Sequence, residues 1–109
     1  MEEKQFSPDF IAQVHYITTE EGGRSTPASS GYRPQIKFPF SKQMISGMQN
    51  FIGKDTVYPG ETIVVEIIML SPQFFEKQLK TRMHFELREG YRIVATGIVL
   101  KIVNDTLRE

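Results

Sequence analysis

REGYRIVATG, residues Arg88 to Gly97, joins a tight turn to a strand and decides how the chain is read. Glu89-Gly90 makes a reversal between the alternating run Met83, Phe85, Leu87 and the apolar run Ile93 to Val103, the pattern of a β-hairpin. Gly97 then interrupts the second strand, as at a bulge or a barrel corner. Working outward, a second stretch of turn chemistry is EEGGRSTPASSGYRPQ, Glu20 to Gln35. Its glycines admit positive φ, Pro27 fixes φ, and Ala28 to Gly31 form a polar tip before Tyr32 opens a strand.

The hydrophobic period along the rest of the chain is two. Phe10, Ala12, Val14 and Tyr16 share one face of a strand, with Gln13 and His15 on the other. Ile36, Phe38 and Phe40 alternate with Lys37 and Pro39, and Pro34 and Pro39 place that strand at an edge or a bulge. A weaker strand is expected between Met44 and Ile52. Tyr58-Pro59-Gly60-Glu61 suits a type II turn and launches Ile63 to Leu70, which is apolar on both faces. Ser71 to Lys80 reads as a short helical turn or an irregular loop, and Thr81 to Arg88 pairs with Tyr91 to Val103. In that last strand Val94, Ile98, Leu100 and Ile102 are expected inside, with Ile93, Ala95, Val99 and Val103 opposite. Short strands separated by turn signals indicate an all-β closed antiparallel barrel or a sandwich. The expected core is Val14, Phe38, Ile63, Val65, Ile67, Phe85, Leu87, Val94, Ile98 and Leu100. Residues 1–8 are read as a tail, 9–104 as the barrel and 105–109 as a polar C-terminal tail.

Composition narrows the function classes. The chain has 109 residues, enough for one core. Its 13 basic and 13 acidic residues cancel, so no global field draws it to nucleic acid or anionic membrane. The absence of cysteine removes disulfides and thiolate chemistry and fits a reducing, cytoplasmic setting. MEEKQFSPDF has no apolar core of a signal peptide, and no run reaches the roughly 18 apolar residues of a membrane span. His15 and His84 lie on the outward faces of separate strands without a ligand partner in the pattern, so no metal site and no other cofactor is expected. Ser25, Thr26, Ser29 and Ser30 have no paired base, and no catalytic residue is assigned. Arg24, Arg33, Arg88 and Arg92 suit phosphate oxygens, and equally suit ion pairs with Glu20, Glu21, Glu86 and Glu89.

Taken in order, Phe10, Val14, EEGGR, Thr26-Pro27, GYRPQ, Val57, Pro59-Gly60, Ser71-Pro72, REG, Arg92, Val94 and Gly97 form a co-linear set. That set resembles the C-terminal domain, domain III, of bacterial elongation factor Tu, over about Phe10 to Val103. The resemblance implies a closed six-stranded antiparallel Greek-key β-barrel of that type. It also implies that Arg24, Gln35, Glu89 and Gly90 occupy positions that meet the T-stem backbone of tRNA. Departures fall at Ser25 and Ser71, where donors or cations are usual, and at Ala28 and Ser29, which replace an aromatic pair facing the GTPase domain. No GxxxxGK[ST] loop is present, so GTP binding is not expected of this chain. The expectation is a non-enzymatic binding module related to translation, with Arg24, Arg33, Gln35, Arg88, Glu89 and Gly90 as candidate RNA or partner contacts. The alternative is a protein-interaction or self-association module that has lost RNA binding.

Overall fold

The computed structural model describes residues 7–109, so residues 1–6 of the expected N-terminal tail lie outside the described residues. Alternation along β1 (Phe10–Tyr16) turns Phe10, Ala12, Val14 and Tyr16 inward and Gln13 and His15 outward. The same two-residue period governs β4 (Ile45–Phe51), β6 (Thr62–Met69) and β7 (His84–Glu89). With β3 (Gln35–Lys37) and β8 (Arg92–Ile102) they close a six-stranded antiparallel barrel in the order β1-β6-β4-β3-β7-β8. Closure gives every strand two neighbours and removes the free edges along which chains aggregate. The prolines therefore do not mark an edge. Pro34 and Pro39 bracket a strand paired on both sides, with Ile36 opposite Ile45 on one flank and Leu87 on the other. Phe40 lies beyond the strand, 38% exposed and stacked on Phe38 with ring centroids 5.2 Å apart.

Strand β8 departs from fixed parity. Leu87 faces Ala95 while Arg88 faces Ile93, so Val94 is an extra residue in the β7 ladder. Ile11 faces Lys101 while Ala12 faces Val99, so Leu100 is an extra residue in the β1 ladder. Each bulge resets which face points inward. Val94, Ala95, Val99 and Ile102 are consequently buried, whereas Ile98 is only half-buried and Leu100 is 45% exposed. The expected core residues Ile98 and Leu100 are corrected to outward positions, and Ala95 and Val99 to inward ones. Gly97 is no bulge. It pairs with both Phe85 and Val14, and a Cβ there would lie 2.3 Å from Phe85 Cζ. The Phe85 ring lies against the bare backbone, edge-on to Phe10 at 5.6 Å.

Antiparallel order puts the C-terminal ends of β1, β4 and β7 at one mouth of the barrel. The Gly-rich loop covers that mouth, pinned by a small sheet of β2 (Ala28–Ser29) and β5 (Thr56–Val57), which the sequence reading did not anticipate. The turn Tyr58 to Glu61 closes with Glu61 N–H donating to Tyr58 O at 3.0 Å, and Gly60 has φ of 95°. At the other mouth a 3₁₀ turn, Pro72–Phe75, sets Phe75 edge-on to Phe38 at 5.1 Å. The expected C-terminal tail packs there too: Leu107 is buried and the backbone N–H of Leu79 donates to its carbonyl at 2.8 Å. Asp9 ties this end together. Its carboxylate accepts from Met69 N–H at 2.7 Å and Asn104 Nδ2 at 2.9 Å, joining the ends of β1, β6 and β8. No helix among the described residues is long and apolar enough to cross a membrane.

Candidate binding surface

The β7–β8 hairpin turns on Gly90, whose φ of 64° fits the first central position of a type II′ turn. Tyr91, the second, is 99% exposed. The turn holds Glu89 over the Gly-rich loop, where its carboxylate accepts from both Arg24 Nη1 and the Tyr32 hydroxyl. The Arg24 guanidinium lies 4.5 Å above the centroid of the Tyr32 ring. Its other donors go to Thr26 O at 3.2 Å, Thr26 Oγ1 at 3.1 Å and Pro27 O at 3.1 Å. Arg24 is thus committed within the chain and has little left to offer a phosphate. Burial, and then the bond to Glu89, push the Tyr32 phenol above the ordinary tyrosine range.

Gln35 and Arg88 are partners across β3 and β7, and both stand outward beside buried Ile36 and Leu87. Arg88 donates to Glu86 Oε1 from Nε at 3.0 Å and from Nη2 at 2.5 Å. Lys37 is the register partner of Glu86, and its ammonium donates to Phe38 O at 2.9 Å. Lys37, His84, Glu86, Arg88 and Thr96 line a shallow groove of about 370 Å³, with Gln35 outside its lining. Two cations, Lys37 and Arg88, face one carboxylate there, that of Glu86, so the groove is mildly positive.

Arg33 belongs elsewhere. It is exposed, next to β4, and its Nη2 reaches Met48 Sδ at 3.8 Å. The six candidates therefore separate into three places: Arg24, Glu89 and Gly90 at the covered mouth, Gln35 and Arg88 on the β3–β7 wall, and Arg33 on the β4 side. His15 and His84 are both exposed, and His15 Nδ1 meets Thr62 Oγ1 at 3.0 Å. Lys37, Tyr32 and Thr96 were not singled out as site residues. The outward parity of Lys37 is readable from its neighbours Ile36 and Phe38, whereas unbroken alternation from Val94 to Ile98 turns Thr96 inward; only the bulge at Val94 and the strand order bring the two together.

The model of the elongation factor Tu C-terminal domain family matches residues 4–103. That match spans nearly the whole 109-residue chain and agrees with the closed six-stranded barrel, whose turns at Gly60 and Gly90 lie at the mouth that the Gly-rich loop covers. The chain belongs to the elongation factor Tu C-terminal domain family, a translation-factor-related binding domain in barrel form.

Proposed function

We propose that this chain is a non-enzymatic binding module that contacts an RNA backbone weakly, through the β3–β7 wall. The observation that carries this reading is the outward pair Gln35 and Arg88, register partners beside Lys37 and below the hairpin tip Glu89-Gly90. Amide and guanidinium donors on adjacent strands suit phosphate and sugar oxygens. The ion pairs Arg24–Glu89 and Arg88–Glu86 work against tight binding, because each must open or share its cation before a phosphate is met. Nuclear magnetic resonance titration with an RNA hairpin resembling a tRNA T-arm tests this reading. Amide shifts should concentrate at Gln35, Lys37, His84, Arg88 and Thr96, and Lys37→Ala or Arg88→Ala should each flatten the salt slope by about one unit. Shifts confined to other faces, or none at millimolar RNA, would reject it.

A second reading, docking of a protein, is favoured by the apolar residues Met48, Ile68 and Leu70 on the outer wall of β4 and β6. The two surfaces are separate, so one can fail without the other.

A further inference from the structure

Met48 and Ile68 are cross-strand partners on β4 and β6, and both point outward because their neighbours Gly47, Gln49, Ile67 and Met69 face the barrel interior. Leu70 continues the row, with its N–H donating to Ser46 O at 2.9 Å and its side chain 76% exposed. Gly47 N–H and Gln49 N–H donate to Pro34 O and Tyr32 O, each at 3.0 Å, which sets Arg33 alongside Met48. These residues line a groove of about 370 Å³ with an apolar floor and one guanidinium at its rim. Arg33 is held only by the thioether of Met48, a weak acceptor, and among the described residues no carboxylate pairs with it. Arg24 and Arg88, by contrast, each have a glutamate.

We propose that this groove docks an extended segment of a partner protein in which a large apolar side chain stands within two residues of an aspartate or glutamate. The apolar side chain lies on Met48, Ile68 and Leu70, and the carboxylate takes the Arg33 fork. The proposal deepens the protein-docking reading by naming its face and its partner chemistry. An RNA strand is a poor fit, since a polyanion needs several cations along its path and the groove lining supplies one. A second copy of this chain is disfavoured as well. A two-fold contact would set Arg33 against the same groove of the other copy, and no carboxylate lines it. Strand addition is closed off because the barrel has no free edge, so recognition falls to side chains.

The test is selection of displayed random peptides on the full chain, with subtraction on the Arg33→Glu chain. The selected peptides should carry Leu, Phe or Met within two positions of Asp or Glu. The best of them should bind at least tenfold more weakly to Arg33→Ala and to Ile68→Asp, and shift the amides of Ser46 to Met48 and Ile68 to Leu70. Arg33 is exposed and packs on little, so its substitution leaves the fold as a circular dichroism control. Peptides that bind Arg33→Glu equally well, or that map to another face, overturn the groove assignment and leave protein docking standing. Failure to enrich any peptide overturns both. Groove shifts that grow with protein concentration alone, or on addition of the T-arm hairpin, also overturn the assignment, in favour of self-association or RNA.

Discussion

Tyr16 and Gln49 are an unusual pair to find inside a small barrel. Gln49 Nε2 donates to the Tyr16 hydroxyl at 2.8 Å, both side chains are sealed from solvent, and Gln49 Oε1 has no partner among the described residues. Burial pushes the Tyr16 phenol up to about 12 from 10.0, only partly offset by the Gln49 contact. A phenol raised in the folded state contributes stability that is intact below pH 10 and is lost as pH climbs toward 12. The loss amounts to on the order of 3 kcal/mol. Urea melts between pH 9 and pH 12 should therefore show a steep fall for the wild type and a flatter one for Tyr16→Phe, although the variant starts lower, by about 1 to 3 kcal/mol, for stranding the Gln49 amide. Parallel slopes would mean that Tyr16 ionises as freely folded as unfolded. Gly97 was legible in the sequence as an interruption but not for its cause, because the ring that needs the space comes from Phe85 on another strand. Phe85 is hemmed in by Phe10 and Phe38 at 5.6 and 5.9 Å, so Gly97→Ala should cost about 1 to 3 kcal/mol in thermal or urea unfolding. A neutral result would show that the ring can move aside.

Among the elements, β1, β6 and β7 keep one parity from end to end, and their buried faces could be read directly from Phe10 to Tyr16, Ile63 to Met69 and Phe85 to Leu87. Strand β8 could not, because its two bulges arise from pairing with β7 and β1, which period alone does not reveal. The correction can be measured. Val99→Ala should destabilise by about 1.5 to 3 kcal/mol and Leu100→Ala by no more than about 0.5, the reverse of what unbroken alternation implies. Equal losses at the two sites would contradict the bulge. The β2–β5 sheet was invisible because two residues carry no period, and Leu107 because its burial depends on a turn around Leu79. The turn before β6 carries a pH signature. The Tyr58 backbone N–H, then Lys54, hold the Glu61 carboxyl below its ordinary range. A depressed carboxyl contributes stability at neutral pH that is lost as pH falls through its folded value. The stability gap between wild type and Glu61→Gln should accordingly narrow from pH 6 to pH 2.5, and a gap that is constant with pH would rule the carboxylate out as its source.

Across the whole molecule 13 cations and 13 anions cancel, and among the described residues four of the cations, Arg24, Arg88, Lys54 and Arg108, have a carboxylate partner. The order of motifs made the family and the candidate positions legible, but not who pairs with whom. Arg24 and Glu89 stand 65 residues apart and meet only because the hairpin tip reaches the Gly-rich loop. Weak RNA contact follows from the pairing of Arg24 and Arg88 with Glu89 and Glu86 on the proposed RNA-facing surface. Its direct test is equilibrium titration of the chain with fluorescent aminoacyl-tRNA over a range of salt. The account predicts a dissociation constant above about 10⁻⁶ M at physiological salt, with a shallow salt slope. Nanomolar binding that is independent of GTP and abolished by Arg24→Ala would contradict it.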